Sequence, residues 1–351
     1  MGILLFAYCD YFCFCGLEPT VYLFSVLNMK KFIQYLILFS LPLLVMSYFI
    51  DVFISMNLKK SNSFAQKEYS TWNAIIDGKV NSDILIYGSS RAWVHFNSTM
   101  MSDSLKISTY NLGIDGHNFW LQYLRHKMVL DRNTKPKVII VSVDMFTLQK
   151  VENLYNLEQF LPYMLWNNQI KNATSSYEGF EFADYQFPLI RYYGKKKEIE
   201  TAIRYYSGHL SNPICRVKGY QGLNRVWNAD FNKAKSSMKG YKVKIDSETV
   251  LLFQRFLSEC KQNNIKLIFV YAPEYIEGQS FTINRNQIFS IFKKYSKRYN
   301  IPFYDYSNDS ICLQKKYFYN SVHLNKTGAE LFSAKFIDTL KTSRILKNLN
   351  N

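Results

Sequence analysis

From residue 84 onward, short apolar runs alternate with longer segments of helical periodicity. The apolar runs span residues 84–87, 137–144, 266–273 and 301–305, and a further short run leads into 110–113. Apolar residues recur at helical spacing in segments 119–128, 247–263, 287–299 and from about 327. Strands that are apolar on both sides are typical of parallel sheets covered by helices. The pattern therefore predicts an α/β fold, a three-layer sandwich with a mostly parallel five-stranded sheet.

Residues 147–246 interrupt this alternation. The segment is rich in Tyr, Asn and Lys, and it contains short aromatic clusters such as residues 160–166. A block of roughly 100 residues between two core strands is a large insertion, because ordinary connections are much shorter. We expect it to form a lid or a subdomain that shapes the substrate site.

The N-terminal part of the chain has the pattern of a membrane anchor. Lys30 and Lys31 precede an uncharged, mostly apolar run over residues 32–50, and no small-x-small cleavage site follows it. We therefore expect an uncleaved signal-anchor, a transmembrane helix over residues 29–55, long enough for a hydrocarbon core of about 30 Å. The two lysines favour a cytoplasmic N-terminus and an extracytoplasmic main domain, although Lys59 and Lys60 weaken that bias.

These assignments divide the chain into four parts. We expect Met29 to be the natural start and residues 1–28, which contain no Lys or Arg, to be an upstream extension. The alternative is a genuine first apolar segment, interrupted by Gly16 and Pro19. Residues 56–80 are polar and predict a linker with a short helix, and residues 81–345 form the predicted α/β domain with its insertion.

Composition narrows the classes of partner. A net charge of +16 suggests an anionic partner, but the densest basic clusters, residues 195–197 and 315–316, are short. No nucleic-acid-binding pattern accompanies them, so we expect no nucleic-acid partner and interpret the cations as a solvated surface. The six cysteines show no CxxC spacing. Neither a metal site, a cofactor nor a disulfide framework is predicted.

Candidate chemistry lies at the two ends of the α/β domain. The strand over residues 84–87 runs into a turn, Gly88-Ser89-Ser90, at the sheet edge where ligands gather in open α/β folds. A serine hydroxyl becomes a nucleophile only when a base takes its proton. His323 is the best candidate base, because a neutral imidazole suits that task near pH 7.

These motifs resemble those of the SGNH/GDSL-type hydrolases, in particular the membrane-anchored envelope branch (DltD-like and alginate O-acetylation-like proteins). Gly88-Ser89-Ser90-Arg91 resembles the first block, which implies Ser90 as nucleophile. Asn111-Leu112-Gly113-Ile114-Asp115-Gly116 resembles the second, which implies that the Gly113 N–H, with that of Ser90, holds the oxyanion. Asn320-Ser321-Val322-His323-Leu324-Asn325 resembles the last, with His323 as base and Asn320 where the family has Asp. The resemblance implies a flavodoxin-like SGNH fold.

The sequence departs from the family at two positions. Asp144 stands at the oxyanion position of the third block, where the family has an Asn that donates a hydrogen bond. An ionised carboxylate there would oppose an oxyanion, so Asp144 is expected either at that position or in another role. Asn320 accepts from an imidazole N–H but brings no full charge to stabilise imidazolium. Asp305 and Asp309 are alternative partners for His323.

Two further residues are candidates for substrate binding. Arg91 would grip an anionic group, with a structural salt bridge as the alternative. His117 and His95 flank the same loops. Each either lines the cleft or is an exposed loop residue.

The combined hypothesis is a membrane-anchored serine esterase or O-acyltransferase acting on a cell-envelope or secreted polysaccharide. Its location would be the bacterial cytoplasmic membrane, single-pass, with the main domain periplasmic. If the reaction is transfer, a multispanning membrane protein that donates the acyl group is the natural partner. The alternatives are an inactive SGNH-like protein that binds or assembles glycans, and a basic protein that binds anionic lipids.

Overall fold

The computed structural model describes residues 19–61, 68–116, 119–210, 216–343 and 346. Within the chain there are two compact units, one ending at Asp51 and the other beginning at Val52. Some of the predictions fall outside the described residues: that for the candidate substrate-binding residue His117, most of the predicted extension 1–28 and part of the predicted linker 56–80.

The first unit contains most of a long apolar helix, α1 (Pro19–Ser61), with Pro42 in its interior. The stretch Asn28–Ser61 is long and apolar enough to cross a membrane, as judged by length and composition. Its large apolar side chains from Phe32 to Ile50 are mostly exposed to the surroundings. The last turns of α1, from Val52, belong to the second unit, where Ile54 and Leu58 are buried.

The second unit is built on a five-stranded, all-parallel sheet, which confirms the predicted α/β sandwich. Its strands run in the order β2-β1-β3-β4-β5. Their bounds are β1 Ile84–Gly88, β2 Thr109–Asn111, β3 Val138–Ser142, β4 Lys266–Tyr271 and β5 Phe303–Asp305. The register pairs Gly88 with Ser142. The C-terminal ends of β1 and β3 therefore meet at one edge.

Helices cover both faces of this sheet. The described helices that follow α1 are α2 Glu68–Ile76, α3 Ser90–His95, α4 Ser98–Leu105, α5 Phe119–Arg132, α6 Asn168–Thr174, α7 Lys196–Tyr206, α8 Asp230–Ser237, α9 Ser247–Gln262, α10 Ile276–Phe281, α11 Arg285–Tyr299 and α12 Lys326–Thr342. Alternate residues of a strand point to opposite faces. Leu85 and Tyr87 accordingly pack in the core under α5, α9 and α11, whereas Ile84 and Ile86 pack in the core under α4 and α12.

The segment between β3 and α9 adds no strand to the sheet within its described residues. It consists of α6, α7, α8 and short 3₁₀ turns at Leu157–Phe160, Phe182–Tyr185 and Ile190–Tyr192. Its aromatic cluster is anchored on α2, where Trp72 Nε1 donates to Gln159 Oε1 at 3.0 Å and Tyr163 Oη donates to Asn73 Oδ1 at 2.7 Å. Phe160 and Tyr163 are buried in these contacts.

Candidate active site

The turn after β1 places Ser90 at the first position of α3. Gly88 has φ +147°, and a Cβ there would lie 2.7 Å from the Ser142 carbonyl oxygen, so only glycine fits beside β3. Ser89 is the N-cap of α3, and its Oγ accepts from the Arg91 N–H. The Ser90 N–H comes next, at a helix position that has no backbone acceptor within the helix. Ser90 is only 9% exposed.

Ser90 and His323 meet across the domain. Ser90 Oγ lies 2.8 Å from His323 Nε2, and His323 Nδ1 lies 3.0 Å from Asn320 Oδ1. Asn320 Oδ1 also accepts the backbone N–H groups of Val322 and His323 at 3.1 and 2.9 Å. These donors identify it as the amide oxygen, so Nδ1 of His323 carries the proton. Nε2 then carries no proton and can accept that of the Ser90 hydroxyl.

The alternative carboxylates are engaged elsewhere. Asp305 Oδ1 accepts the Ser307 N–H at 3.0 Å and also binds the Ser307 hydroxyl. Asp309 forms an ion pair with Lys335 at 2.8 Å and accepts the Ile311 N–H. Asn320 is therefore the orienting partner that the geometry gives to His323.

Gly113 lies against α3, and its amide is already bonded. The Gly113 N–H donates to Asn111 Oδ1 at 3.0 Å, while Asn111 Nδ2 donates to the carbonyls of Ala92 and Phe96. A Cβ at Gly113 would lie 2.6 Å from the Trp93 backbone nitrogen. The absence of a side chain at Gly113 thus allows its loop to lie close to α3. To bind an oxyanion, its N–H would have to share or leave Asn111.

Asp144 was expected at the oxyanion position, but the structure gives its carboxylate other partners. Ser89 Oγ donates to Asp144 Oδ2 at 2.5 Å, and the Phe146 N–H donates to Oδ1 at 2.8 Å. The side chain is 1% exposed. Asp144 therefore fixes the N-cap serine of α3 from behind. A carboxylate fits there because its neighbours are donors.

Arg91 was expected to grip an anionic substrate, but its guanidinium is buried. Nη2 donates to the carbonyls of Ala272 and Pro273 at 2.5 and 3.3 Å. The guanidinium also lies over the Tyr271 ring, 4.6 Å from the centroid. It ties the serine helix to the loop after β4.

His95, at the last position of α3, joins this helix to the loop that carries His323. Its Nε2 accepts the Leu324 N–H at 3.0 Å, directly after His323, and its ring centroid lies 6.1 Å from that of His323. Burial, with the nearby charge of Arg91, holds the pKa of His95 well below its usual range. The neutral ring is what allows Nε2 to accept. Sequence reasoning left the position of His95 open, because an acceptor for a distant N–H has no local signature.

A cleft of about 1030 Å³ opens on Ser90, Asn320 and His323. Trp93, Tyr155 and Tyr319 give it aromatic walls, and the Tyr319 ring stacks on His323 with centroids 5.2 Å apart. Much of the remaining lining comes from the predicted insertion: Gln149, Lys150, Val151, Glu152, Asn153, Gln221, Leu223, Arg225 and Lys244. Asp115 also lines the cleft, and burial together with the charge of Glu68 raises its pKa to about 6.

A buried ion cluster lies beneath this cleft. Glu68, from α2, pairs with Arg125 and with Arg216, the latter at 2.9 Å, and all three side chains are fully buried. Glu68 Oε1 also accepts the Asp115 N–H at 2.9 Å. Arg125 donates to the carbonyl of Gly113 at 3.0 Å. The cluster therefore fixes the loop after β2 that carries Gly113 and Asp115. The sequence pattern had assigned Glu68 to a linker.

Comparisons with known proteins give similarity in structure only. No protein-family profile and no curated protein matches the chain. A GDSL-like lipase from Bacteroides thetaiotaomicron VPI-5482 is 14% identical, with 78% of this chain and 98% of that chain covered and a TM-score of 0.36. A putative acylhydrolase from Bacteroides fragilis NCTC 9343 is 14% identical, with 78% and 95% covered and a TM-score of 0.33. With TM-scores this low, function has to be inferred from the site residues themselves.

Proposed function

We propose that this protein is a serine-dependent esterase or O-acyltransferase of the SGNH type. The observation that carries the proposal is the chain of contacts from Ser90 Oγ to His323 Nε2 at 2.8 Å and from His323 Nδ1 to Asn320 Oδ1 at 3.0 Å. Nucleophile, base and orienting group are in hydrogen-bond reach of one another. All three residues line the large cleft.

The geometry supports a two-step acyl transfer. Ser90 Oγ attacks the ester carbonyl carbon while His323 Nε2 takes the hydroxyl proton, and the imidazolium then returns that proton to the leaving alcohol. The acyl group on Ser90 is next attacked by water or by a sugar hydroxyl, whose proton passes to Nε2. The bond between the acyl carbon and Ser90 Oγ then breaks, and Nε2 returns the proton to Oγ. The Ser90 N–H, at the start of α3, is the proposed oxyanion donor, with the Gly113 N–H as the second once it leaves Asn111.

The cleft suits a substrate much larger than a simple ester. A volume of about 1030 Å³ and the aromatic walls of Trp93, Tyr155 and Tyr319 fit an acylated glycan that stacks its sugar rings. Lys150, Arg225 and Lys244 add cations to the lining, against the carboxylates of Asp115 and Glu152. We accordingly propose a cell-envelope or secreted polysaccharide as substrate.

We also propose that the protein is a single-pass membrane protein. α1 has the length and composition of a spanning helix. Lys30 and Lys31 favour a cytoplasmic N-terminus, which leaves the α/β unit on the extracytoplasmic, periplasmic side of a bacterial membrane. If the acyl group passes to a sugar, a multispanning acyl-donor protein would supply it.

Covalent labelling tests the nucleophile directly. The full chain in detergent or vesicles is treated with a fluorophosphonate, and the adduct is located by mass spectrometry. We expect labelling on Ser90 that disappears in Ser90→Ala and persists in Ser89→Ala, since Ser89 Oγ is bonded to Asp144. Labelling that survives Ser90→Ala would contradict the assignment.

A non-catalytic glycan-binding protein is the second candidate. The amide at position 320 and the engaged N–H of Gly113 favour it, because both reduce stabilisation of charge in the transition state. A folded wild-type protein that takes no label but binds acylated glycans would establish this alternative.

Asn320→Asp is expected to raise the rate of ester turnover about tenfold. A carboxylate would accept the same three N–H donors and stabilise imidazolium by about one pKa unit, which corresponds to a factor of ten. The acidic limb of the pH–rate profile should also move to higher pH. Asn320→Ala is the matched control and should slow turnover; a slower Asn320→Asp would contradict the orienting role.

His95→Phe is expected to lower turnover about tenfold and the free energy of unfolding by about 1–3 kcal/mol. The buried Leu324 N–H loses its acceptor, and the loop that carries His323 loses its tie to α3. His95→Gln, which keeps an acceptor, should recover most of both losses. Turnover and denaturant unfolding are measured on the same samples; equal losses in the two variants would contradict the role of the hydrogen bond.

A further inference from the structure

Helix α7 (Lys196–Tyr206) leaves part of its apolar stripe exposed, although Ile199 on that stripe packs against the core. The residues that it buries are Glu198, Thr201 and Ala202. Ile203 and Tyr206, three positions apart and therefore on one side of the helix, are 51% and 70% exposed. A surface helix of a soluble domain normally buries its apolar stripe. The exposed part of the α7 stripe, Ile203 and Tyr206, therefore indicates an apolar environment beyond the protein.

Neighbouring turns extend this surface. The turn Phe182–Tyr185 packs against Ile190–Tyr192, which packs against α7. Four more large apolar side chains of this region are exposed: Phe182 at 75%, Phe187 at 50%, Ile190 at 45% and Tyr193 at 91%. We call the six residues Phe182, Phe187, Ile190, Tyr193, Ile203 and Tyr206 the aromatic face. An exposed apolar group of this size marks an interaction surface.

Cations border the aromatic face. A groove of about 460 Å³ along α7 is lined by Ile199, Ile203, Lys195, Lys196 and Arg204, together with Tyr192, Gly194 and Glu200. Lys195 pairs with Glu158 at 3.2 Å, whereas Lys196 and Arg204 have no ion pair among the described residues. Glu200 is the single carboxylate of the groove lining. An apolar groove with cations at its edge fits the glycerol and phosphate region of an anionic lipid.

The aromatic face is in contact with the turns of α1 that belong to the second unit. The Phe53 ring packs edge-on against Tyr206 with centroids 5.0 Å apart, and Ser55 Oγ lies 2.9 Å from Tyr192 Oη and accepts from Arg191 Nη2 at 3.0 Å. In the sequence, Phe53 is the third residue after the end of the uncharged run 32–50. A chain anchored in a bilayer by that run would hold Phe53 and its neighbours at the membrane surface.

We propose that the aromatic face is a membrane-interface surface, which rests in the headgroup region of an anionic bilayer. Tyr and other amphipathic rings are enriched at that depth. An amphipathic helix with a basic border and an apolar stripe lies in the interface plane. A lipid surface fits better than a partner protein because Phe53, which packs against Tyr206 of the face, closely follows the apolar run in the chain. The proposal is independent of the chemistry at Ser90.

Site-specific photocrosslinking tests the proposal on the full chain in vesicles of phosphatidylcholine and phosphatidylglycerol that carry a fluorescent phosphatidylglycerol. p-Benzoylphenylalanine replaces Tyr193 in one variant and Leu313 in the control. Leu313 is 67% exposed, and its neighbour Ile311 packs in the core on the other side of the sheet. We expect at least tenfold more lipid adduct at position 193. Equal yields, or adducts at 193 to protein in place of lipid, would overturn the proposal.

The border cations give a second test with a matched control. Lys196 and Arg204, together with Lys197, which is exposed next to Lys196 on α7, are replaced by Gln. The same change in net charge is made on α11 at Lys293, Lys294 and Lys297. With the probe at 193, we expect the adduct yield to rise several-fold with the fraction of phosphatidylglycerol, and the first triple variant to lose that rise. An equal loss in the α11 variant would contradict a local headgroup contact. Unfolding temperatures confirm that each variant is folded.

Discussion

His323→Ala is expected to slow ester turnover by about 10³-fold or more. The imidazole is the group within reach of the Ser90 hydroxyl, at 2.8 Å, and loss of either member of a nucleophile–base pair abolishes most of what the pair achieves together. His323 is half-buried and loses its side-chain contacts with Ser90, Asn320 and Tyr319, so we expect a loss of stability that is small beside the loss of rate. Turnover of p-nitrophenyl acetate and fluorophosphonate labelling measure the effect.

His209→Ala is the matched control for this experiment. His209 is exposed and bonds Ser207 locally, so its loss should leave both rates unchanged. The double variant Ser90→Ala/His323→Ala should be no slower than either single variant, because the two side chains act as one unit. A double variant that loses the product of the two single effects would show that they act separately.

The meeting of Ser90 and His323 illustrates what sequence can establish. The apolar strands predicted a parallel sheet, and the C-terminal ends of parallel strands lie at one edge. The turn with Ser90 follows the first strand, so its position at that edge could be predicted from the pattern. The motif around His323 could be assigned to the same edge only through its resemblance to the family. The five strands were recognisable because buried parallel strands are apolar throughout.

The roles of Arg91, Asp144 and His95 depend on contacts that carry no such pattern. Arg91 binds carbonyls 181 and 182 residues away, and His95 accepts an N–H 229 residues away. Spacing along the chain does not encode such pairs. A polar residue beside the Gly-Ser-Ser turn suggests substrate binding from the sequence alone, whereas its hydrogen-bond partners become known only in three dimensions.

The partly exposed apolar stripe of α7 is a second feature that the sequence pattern could not place. Periodicity identifies an apolar stripe but gives no information on whether that stripe meets the core or the surroundings. Residues 195–197 accordingly suggested no more than a solvated basic surface. Their position beside exposed Tyr193 and Ile203 emerges only in three dimensions.

Glu68→Gln is expected to lower the free energy of unfolding by about 3–5 kcal/mol. The change keeps the shape of the side chain but leaves Arg125 and Arg216 buried beside a neutral amide, and an uncompensated buried charge is costly. The Asp115 N–H keeps an acceptor, so the loss measures the charge. Denaturant unfolding at pH 7 gives the value. Glu277→Gln, at an exposed pair with Lys235, should cost less than about 1 kcal/mol.

The pH dependence of this difference separates charge from packing. Burial opposes ionisation of Glu68, but the charges of Arg125 and Arg216 outweigh it and lower the pKa of the folded state. A lowered folded pKa contributes stability that is fully present above the unfolded value of about 4.3 and is lost as the pH falls through the folded value. The gap between wild type and Glu68→Gln should therefore be constant above about pH 5 and narrow below about pH 4. A gap that does not change with pH would mean that altered hydrogen bonding, and not the charge of Glu68, accounts for the loss.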